Sequence, residues 1–240
     1  VLVIDADLGL ANVDILLDET PMRTLEHVVL GEETLDNVLV HSKHGITVLP
    51  GASGVTGLTN LDQTQRMRLM HAVDGLDARF DTVIVDTPAG IGNNAAFFAS
   101  AVQEVLVIAT PEPTSMTDAY AMIKVLNRTY GIERVGLVLN QVDSVTEAQD
   151  VYMRLTSLTS RFLNVMVELM AWLPQDESVR HAVMLQRPAT AQFPNAPYSV
   201  AVKGLAQKMM MRPPAHATGR LQFFWNRLLG TGGAETTAVL

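Results

Sequence analysis

The first seven residues constrain the fold more than any other segment. Val1-Leu2-Val3-Ile4 is an apolar, β-branched run, and it leads into Asp5 and Asp7, two carboxylates one residue apart. An unbroken apolar run of this length reads as a strand covered on both faces, the pattern of a parallel sheet. Acidic groups at the C-terminal end of such a strand lie in the crevice where open α/β sheets place their polar chemistry. A second run of the same kind, Thr82-Val83-Ile84-Val85, ends on Asp86 and continues as Thr87-Pro88-Ala89-Gly90.

Further strand-like runs occur at 46–49, 105–109, 135–139 and 165–172. Helical periodicity fills most of the intervals. The clearest helix is 61–80, where Asp62 and Gln65 form a capping box and Met67, Leu69, Met70, Val73, Leu76 and Phe80 make an apolar stripe. Segments 116–130 (closed by Gly131), 147–163, 176–185 and 199–211 also read as helices. Strands alternating with helices predict an α/β fold with a doubly wound, mostly parallel sheet. The expected organisation is one domain over 1–210, a linker over 211–219 marked by Pro213-Pro214, a short helix over 220–230 and a disordered end over 231–240.

Composition narrows the chemistry. The chain has no cysteine, which excludes disulfides and any Cys-ligated metal or iron–sulfur cluster. A hydrophobic fraction of 48% suffices for a full core. The longest apolar runs are of strand length, short of the ~20 residues of a membrane-spanning helix. The net charge of −8 is unevenly spread: residues 1–177 hold 24 of the 25 acidic side chains and 10 of the 17 basic ones. From 178 to 234 there is no Asp or Glu, but seven Lys or Arg. The acidic body is a poor surface for DNA, which is held by cations neutralising phosphate; the basic end suits an anionic surface.

On an extended strand Asp5 and Asp7 point the same way. At a strand end, one could orient Mg2+-bound water and the other an attacking water; phosphoryl transfer asks for little beyond positioning and charge neutralisation. Asp86 is placed to hold Mg2+ through water, and Gly90 permits a mobile loop. Capping and turn formation are the alternatives for all of these residues. No Gly-x-x-x-x-Gly-Lys-[Ser/Thr] phosphate loop occurs in the chain, which begins with Val. A nucleotide reading therefore expects the loop upstream of Val1.

Taken together, these motifs resemble the MinD/ParA group of dimerising ATPases. Residues 2–14 (LVIDADLGLANVD) are similar to the segment after that group's deviant phosphate loop, and residues 83–91 (VIVDTPAGI) to its second acidic strand and switch. Residues 109–124 (ATPEPTSMTDAYAMIK), and 173–183 (LPQDESVRHAV) followed by Gln186-Arg187-Pro188, resemble the flagellar FlhG/FleN branch, whose members limit flagellar number and placement. The resemblance runs in order from Val1 to about Lys208.

It implies ATP and Mg2+ as cofactors. Asp7 would orient the hydrolytic water, Asp5 and Asp86 would organise Mg2+ through its water shell, and Thr87, Pro88, Ala89 and Gly90 would form a switch. Asn140 would contact adenine, with Pro174 and Asp176 in the loop closing over the base. Asn12 and Glu112 would lie at a homodimer interface. The family's first strand, phosphate loop and first helix have no counterpart in the chain, so poor ATP binding is expected of it. Division-site selection, DNA partition or a non-enzymatic scaffold are the rival roles on the same fold. Implied partners are an SRP-type flagellar GTPase and a flagellar transcription activator, without direct DNA binding.

Past the linker, Leu221, Phe224, Trp225 and Leu228 recur at helical spacing on one face, with Arg220 and Arg227 largely opposite. A short basic amphipathic helix with aromatic residues suits a membrane interface; docking back on the domain is the alternative. The resemblance favours membrane targeting, at the inner face of the cytoplasmic membrane.

Overall fold

In the computed structural model, the described residues are 1–7, 10–52, 80–90 and 102–212, together with positions 64, 65, 68, 95, 98 and 99. The chain opens with β1 (Leu2–Asp5), followed by three short helices, α1 (Val13–Leu16), α2 (Leu25–Leu30) and α3 (Leu35–Val38). Two short strands come next, β2 (Val40–His41) and β3 (Thr47–Leu49), and later β4 (Val83–Asp86). They form a sheet in the order β2-β3-β1-β4, in which β1 runs parallel to β3 and β4, and β2 is antiparallel. Leu2 and Ile4 on one face of β1 pack against Leu25, Val28 and Val29 of α2. At the end of α2, Gly31 takes the left-handed conformation (φ 80°) that a helix C-terminus favours in glycine.

Residues 106–174 form two successive β-α-β units. β5 (Leu106–Ala109), α4 (Pro113–Tyr130), β6 (Arg134–Val142), α5 (Val145–Phe162) and β7 (Met166–Pro174) give a parallel sheet in the order β5-β6-β7. Three helices follow: α6 (Glu177–Met184), α7 (Ala189–Gln192) and α8 (Pro197–Met210). β6 is covered on both faces. Leu137 and Leu139 meet Ile123 and Leu126 of α4 and Leu155 of α5. Val138 shares a cluster with Met170, Leu173 and, from α8, Tyr198 and Leu205. At Gly136 an added Cβ would lie 2.6 Å from Leu106 Cδ2 and 2.8 Å from Met170 Cγ. An ionic cluster ties this unit together: Glu168 accepts from Arg134 at 2.8 Å, lies 3.5 Å from Lys208 and pairs with Arg212, which also pairs with Glu104.

The α/β architecture and all six expected strands are present. Element boundaries are corrected. α4 begins three residues before the expected position 116, because Pro113 fits the first turn, where its missing N–H costs nothing. β6 reaches Val142 and β7 reaches Pro174, beyond the apolar runs that marked them. The expected mostly parallel sheet is present, its strands hydrogen-bonded among the described residues in two groups, with β4 and β5 each paired on one side only. On these two strands Ile84 and Ile108 are 50% and 63% exposed, although parallel strands are normally covered on both faces. Of the expected helix 61–80, positions 64, 65 and 68 are helical and position 80 is not; the remainder lies outside the described residues. So do the linker beyond Arg212 and the whole segment 220–240.

Candidate functional site

Asp5 closes β1 and is 1% exposed. Its Oδ1 accepts the Asp7 amide, and its Oδ2 accepts the amides of Asn12 and Val13, each at 3.1 Å. The carboxylate thus folds the chain after β1 around itself and anchors the start of α1. Burial pushes the Asp5 pKa above its ordinary value, and the Asp7 charge adds to this, while the three amides pull it down. Asp7 turns its Oδ1 to the amide of Leu10 at 3.0 Å.

β4 lies beside β1 in a register that sets Asp86 directly opposite Asp5, and the Ala6 amide donates to the Asp86 carbonyl at 2.8 Å. Asp86 keeps solvent contact. Its pKa is raised first by partial desolvation and then by the negative charges of Asp5 and Asp7. Thr87 and Pro88 follow half-buried, Ala89 and Gly90 exposed. Gly90 has φ 88°, a conformation open to glycine and strained for other residues, with no atom of the described residues within 4 Å of where a Cβ would be.

One contributor was absent from the sequence reading. Gly51, two residues past β3, packs on Asp5: an added Cβ would meet the Asp5 carbonyl oxygen at 2.8 Å, the Ala11 Cβ at 2.9 Å and the Asp5 Cγ at 3.2 Å. The available signal was a glycine close behind a buried strand, at the sheet edge where sites form.

The other candidates belong to the second sheet. Asn140, near the end of β6, accepts the Gln141 amide on its Oδ1 at 3.0 Å, and Gln141 is left-handed (φ 58°) where the β6–β7 register slips. Val142 pairs with Pro174, and the Gln175 amide donates to the Val142 carbonyl at 3.3 Å, so Asn140 and the 174–176 loop share one end of that sheet. Asp176 caps α6: Oδ1 accepts the Ser178 amide at 2.9 Å and Oδ2 the Tyr198 amide at 3.1 Å. The Ser178 side chain, then the amides of Tyr198 and Ser178, hold the Asp176 pKa below its usual value. This carboxylate is committed to building its loop and tying it to α8. Glu112, before α4, accepts the Thr110 hydroxyl at 3.1 Å. Asn12 is exposed at the cap position of α1, without a capping bond from its side chain. The Gln186 side-chain amide spans from the end of α6 to the Ile15 carbonyl of α1 at 3.1 Å. Leu221, Phe224, Trp225 and Leu228 lie outside the described residues.

Three carboxylates at the ends of two adjacent parallel strands, two of them destabilised by like charge, fit a divalent cation held through water, which would relieve that repulsion. Among the described residues, no cluster of three or more His, Asp or Glu side chains could hold a metal ion directly.

No family model matches the chain. The antiactivator FleN of Pseudomonas aeruginosa is 43% identical over 238 residues, covering 98% of this chain and 85% of that one. The chain belongs to the FleN/FlhG branch of the MinD/ParA-type ATPases. A second relative, the flagellum site-determining protein YlxH of Helicobacter pylori, is 31% identical over 153 residues, 64% of this chain and 51% of that one. Among solved structures, MinD of Pyrococcus furiosus superposes with a TM-score of 0.69 at 24% identity, covering 87% of this chain and 85% of that one. MinD of Pyrococcus horikoshii, solved with Mg-ADP, gives a TM-score of 0.68 at 23% identity over 88% of this chain and 83% of that one. At these identities the superpositions establish the FleN/FlhG member's fold.

Proposed function

We propose that the protein is an ATP-dependent dimerising ATPase that regulates flagellar number and placement at the cytoplasmic membrane. The observation that carries this reading is the acidic cluster of Asp5, Asp7 and Asp86, in which the charges acting on Asp86 are both negative. Mg2+ supplies neutralisation of phosphate charge when bound. Asp5 and Asp86 organise its water shell, and Asp7 orients the water that attacks. Thr87, Pro88, Ala89 and Gly90 form the segment that senses the terminal phosphate; the left-handed Gly90 lets the backbone approach closely. Asn140, Pro174 and the loop capped by Asp176 flank the base. Asn12 and Glu112 lie on the face that meets a second copy.

Membership of the FleN/FlhG branch and the flagellar name of the Helicobacter pylori relative support the flagellar role over division or partition. An SRP-type flagellar GTPase and a flagellar transcription activator are the partners this role carries, and Leu221, Phe224, Trp225 and Leu228 serve as the membrane contact. ATP binding by this chain alone is weak, because it holds no phosphate-cradling loop with its lysine.

The test is ATP binding and hydrolysis with Mg2+ and anionic liposomes, on this chain and on the gene product from its natural start. Activity in the longer form that is lost on Asp7→Ala supports the reading. Absence of nucleotide binding in both forms overturns it in favour of a scaffold.

A further inference from the structure

The four-residue helix α1 is too short to hold itself together, since a single helical turn does not offset the entropy of ordering it. Both of its ends are tied to other parts of the chain. At the start, the Asp5 carboxylate accepts the amides of Asn12 and Val13. At the end, the Ile15 carbonyl accepts the Asp18 amide at 3.2 Å and the Gln186 side-chain amide at 3.1 Å. The second of these ties crosses 171 residues of sequence. Beside it, Lys43 holds Asp18 at 2.8 Å, and the charge of Arg187 acts on the same carboxylate.

Gln186 stands where a helix usually ends on glycine. Its amide donates to the Val183 carbonyl and the Arg187 amide to the Ala182 carbonyl, each at 3.0 Å. That pair of bonds closes a helix C-terminus through a left-handed residue, most often glycine. Gln186 takes the left-handed conformation (φ 52°), which a side chain disfavours. Strain of this kind, kept in a folded chain, points to a use for the side chain that bears it. The bond to Ile15 is that use.

The clasp joins the two ends of the candidate site. On one side, α1 leads back to Asp5 and to Leu10, whose amide holds the Asp7 carboxylate. On the other, α6 is a rod of eight residues, about 12 Å long, that starts at the Asp176 cap in the loop sharing its sheet end with Asn140. Resting on the ATPase reading above, we propose that Gln186 is a positioning residue for hydrolysis. It locks α1, and with it the Asp7 carboxylate, to the helix that follows the base-flanking loop. A base held at the second sheet thereby sets the water-orienting group at the first. Gln186 touches no reacting atom; it acts by confining Asp7 to the productive placement, on which rate depends steeply.

The test is steady-state hydrolysis of Mg-ATP by the full-length gene product, with thermal melts alongside. Gln186→Gly removes the clasp and relieves the left-handed backbone. Gln186→Glu keeps the shape but sets an acceptor against the Ile15 carbonyl. Both are expected to lower kcat by about 10-fold, while Gln186→Gly melts no lower than the wild type. Asn140→Ala supplies the second arm. In the wild-type background it is expected to raise KM and lower kcat; in the Gln186→Gly background it raises KM alone, because base contact no longer reaches Asp7. If Gln186 only fastens two helices, Gln186→Gly lowers the melting temperature and leaves kcat intact, which overturns the proposal. Independent, multiplying kcat losses in the double variant overturn it too, and in both cases the ATPase reading stands. If the wild type hydrolyses no ATP, the ATPase reading fails and the role of Gln186 with it.

Discussion

A methyl group at Gly51 would press on the Asp5 carbonyl oxygen and the Ala11 Cβ at 2.8 and 2.9 Å, and neither is the loose end of a flexible side chain. Gly51→Ala is therefore expected to lower stability by about 1–3 kcal/mol, measured by urea unfolding, and to displace the carboxylate that anchors α1. Asp86 gives a prediction with the opposite sign. Its pKa is raised in the fold, so stability is lost as pH climbs from the ordinary carboxylate value through the raised one. Asp86→Asn is expected to melt about 1–2 °C higher at neutral pH and to lose that advantage below about pH 4, where both states hold the proton; a melting series across pH reads it. Hydrolysis should fall at the same time, the usual opposition between stability and function at a site. The three acids were legible in the sequence because each terminates or follows a strongly apolar strand. Gly51 was not, because its constraint is a tertiary contact with a residue 46 positions earlier. Asp176 was legible as important, but a sequence does not reveal that both its oxygens are spent on backbone amides.

Helix ends obey the same local rules. Ser144 caps α5 by accepting the Glu147 amide at 3.2 Å, and Glu147 reaches back to the Asp143 amide at 2.8 Å. Ser144→Ala should cost about 1 kcal/mol, seen as a shift of the denaturation midpoint with an unchanged slope. Periodicity placed the start of this helix two residues late because Val145 and Thr146, both β-branched, open it ahead of the apolar stripe. The long helices α4 and α5 were visible because 18 residues give several turns of pattern. Helices α1, α2 and α3 have four to six residues each, too few for a period to register. What holds α1 is a carboxylate accepting its first amides, an arrangement visible only once β1 and α1 have met.

Across the molecule, the ionic cluster around Glu168 joins β6, β7 and the end of α8, with Arg212 carrying it to Glu104 ahead of β5. The hydrogen bond from Arg134, with help from the charges of Arg212 and Lys208, holds the Glu168 pKa below its ordinary value. Its contribution is therefore complete at neutral pH and lost as pH falls through that lowered value. Glu168→Gln should destabilise by less than about 1 kcal/mol at low salt, and the difference should vanish in about 1 M salt; paired thermal melts at two ionic strengths test it. The cluster sits on the unit that β5, β6 and β7 build from an uninterrupted stretch of chain with its own two clusters of buried side chains. The sheet containing β1, by contrast, must recruit β4 from some eighty residues downstream. Chain connectivity thus divides the protein into a part that closes on itself and a part that waits for distant sequence. Amide hydrogen exchange should register that division: β6 exchanging last, through the largest opening, and β1 earlier, through a partial one that leaves β6 protected.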